Sequence, residues 1–505
     1  MTRVPSVGGD NGSWGDVLNA YLATGHTSTG RNKNAYDGVF NVLDYGAVGD
    51  GVTDDTAAIL EAISDATNGG AAISPLGSER RGIVYFPFLG IGTGYLMSQT
   101  IPLCDGLKMS GPPAFAKAFR IAPIIINNTT DVFTATTGVN EGYIGNLSFY
   151  SNQTTHDIFA SMASDASGGV LRYWKIENCD FSQGFRAFMS QAVILGTYIR
   201  DCNISPAGNG STIPIHILGS DWWMTGCNVG VSSLAASAAN FVVQLDTCAY
   251  FWFKDNFINP PTTQNPTVGS LNVRACHDGV ISDNQMNIDL ATSAVTWGAQ
   301  CKIDTGSYNL VVRGNNANRA LSNGGSNSSG YYTVIDSSNI LLDGNVVDGT
   351  GGGNNFAGYY VTVSGGATDN VRIKNPIFRA LSPAKFLVQG ASTNVVVDTD
   401  LENKALAVSG GTAQTLDCTK ADNFQLTVSD GTAFTINAPS YPYKGKRITV
   451  DVKNASGGAM GAITWNAVFK LAGAFTNPAT GSRRTITFYY DGTNWVETNR
   501  AAADI

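Results

Sequence analysis

A six-residue pattern returns along the middle of the chain: apolar, polar, Asn/Asp/Gly, then Cys or Asn, any residue, and usually an apolar one. Clear copies are Ile176-Glu177-Asn178-Cys179-Asp180-Phe181, Ile199-Arg200-Asp201-Cys202-Asn203-Ile204, Met224-Thr225-Gly226-Cys227-Asn228-Val229 and Phe253-Lys254-Asp255-Asn256-Phe257-Ile258. Further copies start at Ile281, Val312, Leu342 and Ile373, and a looser one at Ile144. Successive copies are 23 to 32 residues apart. A step that varies while the motif stays constant means that strands and turns are fixed and loops absorb the difference, so one step is one coil of a solenoid. The third position needs a left-handed backbone, which Asn, Asp and Gly tolerate best. The fourth then stacks coil on coil at about 4.8 Å. This gives a buried thiol column of Cys179, Cys202 and Cys227, and an amide ladder of Asn256, Asn284, Asn315 and Asn345. A β-sandwich would instead show hairpin turns every ~8–12 residues and no aligned column. The pattern predicts a parallel β-helix from about residue 105 to 400.

A second column closes the strand before the motif: Gln244-Leu245-Asp246-Thr247, Asn272-Val273-Arg274-Ala275, Lys302-Ile303-Asp304-Thr305 and Val334-Ile335-Asp336-Ser337. Upstream, the run from Val42 to Ile59 (VLDYGAVGDGVTDDTAAI) leads from a short strand through a Gly-rich turn into a helix. Asp54 and Asp55 are expected in its first turn, at the positive end of the macrodipole, with Asn68-Gly69-Gly70 ending it. The stretches 82–87 and 94–101 read as strands. This succession resembles the opening of the pectate-lyase-like right-handed β-helix superfamily, as found in bacteriophage tailspikes and tail fibres, in which a helix caps the solenoid. The insertion from Phe88 to Thr93 departs from the tighter Pro-x-Gly-x-Tyr spacing usual there.

The resemblance implies an all-β chain in four parts. Residues 1–40 would attach to a phage tail or baseplate protein; within them Trp14, Leu18 and Leu22 recur at helical spacing. Residues 41–104 would form the cap with its short helix and 105–400 the right-handed parallel β-helix. Residues 401–505 would form a β-sandwich-like domain that trimerises or binds glycans. In that last part 447–452 and 485–490 alternate as strands, and Asp491-Gly492-Thr493-Asn494-Trp495 reads as a hairpin turn.

Charge narrows the partners. With 31 basic against 39 acidic residues and a net charge of −8, no basic stripe is available to neutralise phosphates, so nucleic acid is not an expected partner. Eight widely spaced cysteines without a C-x-x-C pair, and only four histidines, indicate neither a zinc site nor a disulfide framework. No metal or cofactor is expected. No apolar run is long enough for membrane insertion, and the N-terminus carries no export signal. Together with the resemblance, this implies a virion component assembled as a homotrimer in the host cytoplasm. It would act outside the target cell on host surface polysaccharide.

Glycoside hydrolysis needs two carboxyl groups, ~5–5.5 Å apart for retention or ~6.5–9.5 Å for inversion. With the second column in register, Asp304 and Asp336 would lie one coil apart, and Asp246 and Asp304 two coils apart with Arg274 between them. These three aspartates are the catalytic candidates; the competing reading makes each a corner residue bonded to its own turn. Sugar binding calls for flat apolar faces beside hydrogen-bond donors, which nominates Trp222, Trp223, Trp252 and Trp297 together with Arg274, although strand alternation must send some of the aromatics inward. Elimination on a uronate polymer would need a base and a cation, for which Arg274, Arg313 and Lys254 are available. His216 and His277 read as structural, and Glu177 with Arg200 as a surface ion pair. The expected function is a depolymerase with hydrolysis ahead of lyase action. A non-enzymatic receptor-binding tail protein on the same fold is the alternative.

Overall fold

The computed structural model describes residues 15–19 and 38–505, apart from 68–81, 91–92, 114–123, 128–129, 135–137, 152–157, 159–170, 183–192, 206–214, 231–240, 260–268, 288–298, 319–329, 349–356, 380–385, 389–391, 393–394, 399–403, 409–410, 419–420, 441 and 443. It divides into two compact units, residues 1–291 and 292–505. Of the expected N-terminal helix, residues 15–19 are helical, while Trp14 and Leu22 lie outside the described residues.

In the first unit each coil carries strands on three faces, and every pairing along a face is parallel. The first face runs through Val139–Asn140, Leu171–Arg172, Val193–Leu195, the opening halves of Ile215–Thr225 and Phe241–Lys254, and Gly269–Arg274. The second includes Lys175–Glu177, Tyr198–Arg200, the closing halves of the same two long strands, and Val280–Ser282. The third includes Ser148–Ser151, Asp180–Ser182, Asn203–Ser205, Asn228–Gly230, Phe257–Asn259 and Gln285–Asn287. Inward positions fill the bore: Ile176, Phe181, Ile199, Ile204, Met224, Val229, Phe253 and Ile258 are all buried.

The turn from second to third face is the repeated motif. Its third residue is left-handed in all nine copies, from Asn146 (φ 56°) through Asp201, Gly226, Asp255, Asp283, Gly314 and Gly344 to Asn375 (φ 45°), as the residue types require. The fourth residue then satisfies the backbone of the preceding coil. Cys179, Cys202 and Cys227 set their thiols against the carbonyls of Ile144, Ile176 and Ile199, the first motif residue one coil back. Asn256 and Asn284 do the same more strongly, donating to Met224 at 3.0 Å and Phe253 at 2.9 Å. The carboxamide oxygens of Asn256 and Asn284 also accept the N–H of the fourth residue one coil earlier, Cys227 and Asn256.

The cap departs from expectation in one detail. The helix spans Thr56–Thr67, so Asp54 and Asp55 precede its first turn rather than occupying it. The buried Asp55 carboxylate instead folds back to accept the Val48 and Gly49 N–H groups of the Gly-rich turn, while Asp54 accepts from Thr56 N–H and Ser98.

The second unit opens with three faces of its own. Cys301–Asp304, Gly330–Ile335, Ala357–Thr362 and Phe386–Val388 form the first; Tyr308–Arg313, Ser338–Asp343, Asp369–Lys374 and Val396–Asp398 the second; Asn316–Asn318, Val346–Asp348 and Ile377–Arg379 the third. Its own amide pair, Asn315 and Asn345, repeats the corner bonding. Residues 404–505 form a further sheet domain. Coil-like alternation persists there: Lys404–Val408, Asn423–Val428 and Arg447–Asn454 are parallel in one sheet, and Ala413–Gln414, Phe434–Ile436 and Ile463–Trp465 in another. Among the described residues antiparallel pairing enters with Arg483–Tyr490 and Trp495–Arg500, joined by the expected turn in which Asp491 accepts the Thr493 and Asn494 N–H groups. Among the described residues no helix is long and apolar enough to cross a membrane.

Replacing Asn284 by Ala removes a donor from the Phe253 carbonyl and the side-chain acceptor of the Asn256 N–H, while Asn256 Nδ2 keeps the Met224 carbonyl; it should destabilise the protein by on the order of 2–3 kcal/mol in denaturant unfolding. Cys202→Ala, which removes one weak S–H donor, should cost about 1 kcal/mol. Burial pushes the Cys202 and Cys227 thiols up, so a disulfide-exchange reagent at pH 8 should titrate them only after denaturation.

Candidate functional site

On the first face of the first unit, alternation sends Val243, Leu245, Leu271 and Val273 into the core. His216, Gln244 and Asn272 therefore form one outward column, and Leu218, Asp246 and Arg274 a second beside it, each aligned coil over coil. These outward positions are nonetheless covered: Gln244 is 8% exposed, Asp246 4% and Asn272 7%. Charged and amide side chains buried on the outside of a solenoid are not needed to fill it, which singles this patch out.

Asp246 is the hub. Arg274 grips it with Nε at 2.7 Å from Oδ1 and Nη2 at 2.9 Å from Oδ2. Gln244 Nε2 and His216 Nε2 each lie 2.6 Å from Oδ2. One carboxylate thus ties three successive coils together. Burial alone would raise its pKa, but the hydrogen bonds from His216, Arg274 and Gln244 outweigh it and hold the carboxyl well below the usual range. A carboxyl held this way favours its charged form, which suits an orienting anion better than the protonated acid of a hydrolase. Arg274 keeps 55% of its side chain exposed while His216 keeps 12%, so the guanidinium is the part of the cluster that meets solvent. Among the described residues the buried carboxamide oxygen of Asn272 has no hydrogen-bond partner.

The other two aspartates do not form the expected pair. Cys301, Lys302 and Ile303 lie opposite Tyr332, Thr333 and Val334, so Asp304 comes level with Ile335 and Asp336 falls one residue further on. The buried Ile303 and Val334 set that register, and a one-residue slip would turn both out of the core. Asp304 is held by Lys302 at 2.7 Å and by the Thr305 N–H, contacts that outweigh burial and lower its pKa. Asp336 is left-handed (φ 46°) and accepts the Ser364 N–H at 2.8 Å. Both behave as corner residues.

The tryptophans split by parity. Trp222 is fully buried and stacks on Phe251 inside the coil, so it cannot meet a sugar. Trp223 and Trp252 face outward on the second face, but in a column with Tyr198: Tyr198–Trp223 centroids are 4.3 Å apart and Trp223–Trp252 5.0 Å, with planes within 8° of parallel. Both faces of Trp223 are covered by its neighbours, and the ladder offers ring edges rather than the flat platform expected. Trp297 lies outside the described residues. His277 bonds Asp278 at 2.9 Å, and Arg200 pairs with Glu177 at 2.6 Å on the surface. Reading His216 as a structural histidine missed its place beside Asp246. The available signal was its spacing: His216 falls two residues before Leu218, as Gln244 falls before Asp246.

A family model described as rhamnogalacturonase A/epimerase, pectate lyase-like, matches residues 39–233. No curated protein matches the chain. Among solved structures it is similar to the Dettilon tailspike protein (12% identity, 94% of this chain and 81% of that one, TM-score 0.48). It is also similar to DFA-IIIase from Arthrobacter chlorophenolicus A6 (13%, 72% and 94%, 0.46) and to tailspike protein 2 of bacteriophage CBA120 (14%, 75% and 49%, 0.38).

Because the folded pKa of Asp246 is depressed, its contribution to stability is present above the unfolded carboxylate value of ~3.9 and is lost as pH falls below it. Thermal melts should therefore drop more steeply below about pH 4 for the native protein than for Asp246→Asn, and the variant should already melt lower at pH 7. The chain carries a right-handed parallel β-helix, and residues 39–233 match a pectate-lyase-like family model.

Proposed function

We propose that this protein is a tail-borne phage component of the tailspike kind that binds host surface polysaccharide and hydrolyses it, with the Asp246 cluster as its glycan-contacting centre. The observation that carries the reading is the buried ionic hub on the outside of the coils, topped by the exposed guanidinium of Arg274. The name borne by the family model, a rhamnogalacturonase and epimerase, supports a sugar polymer as the ligand. In this reading Asp246 stays charged and orients the imidazole. His216, whose Nε2 lies 2.6 Å from the Asp246 carboxylate, is the imidazole of the cluster, and Arg274 positions the sugar. Asp304 and Asp336 serve their own turns. The saturation of Asp246 by four hydrogen bonds favours a second reading, binding without cleavage.

Incubation with a panel of purified capsular and O-antigen polysaccharides should release reducing ends from at least one. His216→Ala should lower that rate on the order of 100-fold or more, while Asp304→Asn and Asp336→Asn should stay within about twofold of wild type. Binding with no reducing ends from any polymer would establish the second reading. A homotrimer covers the exposed edges and ends of such a solenoid; sedimentation should give three times the 53.1 kDa chain mass, and a monomer at micromolar concentration would contradict it.

A further inference from the structure

We infer that the outer side of the second face is an interface with another copy of this chain, centred in the first unit on the ladder of Tyr198, Trp223 and Trp252. The inference rests on the self-association proposed above and is independent of the glycan reading. The position just before the repeated motif points outward, yet it holds Tyr198, Trp223, Trp252 and Val280 on four successive coils, aligned by the parallel register. Filling the core does not call for apolar residues there, because the bore beneath is already closed by Ile199, Met224, Phe253 and Ile281. The aligned outward positions of the third face are Asp180, Asn203, Asn228, Phe257 and Gln285, of which Phe257 alone is apolar. In a single chain Tyr198 is 44% and Trp252 37% exposed, and clustered apolar exposure of this kind marks an interaction surface. The second unit, taken by itself, carries the same feature, with Val311 and Leu341 paired at that position.

Three features choose a copy of this chain over a sugar. The rings stack on one another at 4.3 and 5.0 Å, so their faces are covered within the ladder and their edges meet the partner. Ring edges pack well against aromatic and apolar groups of a protein surface, and Tyr and Trp are the usual anchors at the centre of such contacts. The charges beside the ladder are already balanced: Arg200 pairs with Glu177 at 2.6 Å and Lys254 with Asp255 at 3.3 Å. In a chain of net charge −8 the copies repel one another, and the repulsion is least where the local charge cancels. Successive coils rise by about 4.8 Å, so a parallel copy presents the same rings at the same heights and a cyclic assembly can close. Asp246 and Arg274 lie on the first face and stay clear of this contact.

The test uses the full chain. Wild type should sediment at an integer multiple of 53.1 kDa, Trp252→Glu as a monomer with an unchanged far-ultraviolet circular dichroism spectrum, and Asn228→Lys, on the third face, at the wild-type mass. Hydroxyl-radical footprinting of wild type decides the matter if Trp252→Glu does not fold. Phe88 in the cap is as exposed in a single chain as Trp252, 36% against 37%. An interface that excludes water from Trp252 should slow its oxidation at least about fivefold relative to Phe88. Equal rates in a multimeric wild type, or a Trp252→Glu protein that remains multimeric, remove this interface and leave self-association standing. A monomeric wild type overturns both. A monomer whose Trp252 becomes protected only when a bacterial polysaccharide is added puts a glycan in place of the second copy.

Discussion

The coil corners carry the structure. Where the chain turns from one face to the next, the backbone leaves the regular ladder, and a carbonyl inside the bore would go unpaired in a medium without water. The repeated motif solves this with two adjacent residues: a left-handed third position makes the turn, and a fourth position sends a thiol or amide to the carbonyl one coil back. The corner between first and second faces uses the same device. There Thr197 donates to Leu171, Cys248 to Ile217, Cys276 to Leu245, and in the second unit Ser337 to Asp304. Cys179, Cys202, Cys227, Cys248 and Cys276 are small inward donors of this kind, and none of the eight cysteines forms a disulfide.

Because the corners fix register, they also fix which side chains share an outer face. Val243 and Leu245 are locked inward, so Gln244 and Asp246 must face out, and the aligned residues of the neighbouring coils are placed with them. The cluster of His216, Asp246 and Arg274 is assembled from residues about thirty positions apart in the chain without any of them being on a long loop. Its rigidity follows from the sheet beneath it, a favourable foundation for holding a ligand group in one geometry.

The fold was legible because its rule is local: Asn/Asp/Gly followed by Cys or Asn can be seen in the sequence and maps directly onto positive φ and corner bonding. Placing Asp246 next to Arg274 was legible for the same reason, since both end a strand in equivalent coils. The Asp304 and Asp336 pairing failed because matching their sequence motifs ignored the register set by Ile303 and Val334. The fate of the tryptophans turned on a parity that adjacent pairs such as Trp222-Trp223 leave open until the core side is known. Burial of Asp246, the saturation that keeps it ionised and the unpaired oxygen of Asn272 are properties of three dimensions, with no counterpart in spacing or composition.

The outer side of the first face, between His216 and Arg274, is the proposed glycan-contacting surface. A crystal structure of the full chain with an oligosaccharide prepared from a polysaccharide it binds tests this most directly. A sugar ring is expected over Arg274, with a ring oxygen within ~3.2 Å of its guanidinium. A sugar seated instead along the edges of Tyr198, Trp223 and Trp252, or on the C-terminal sheets, with only solvent over Arg274, would contradict it.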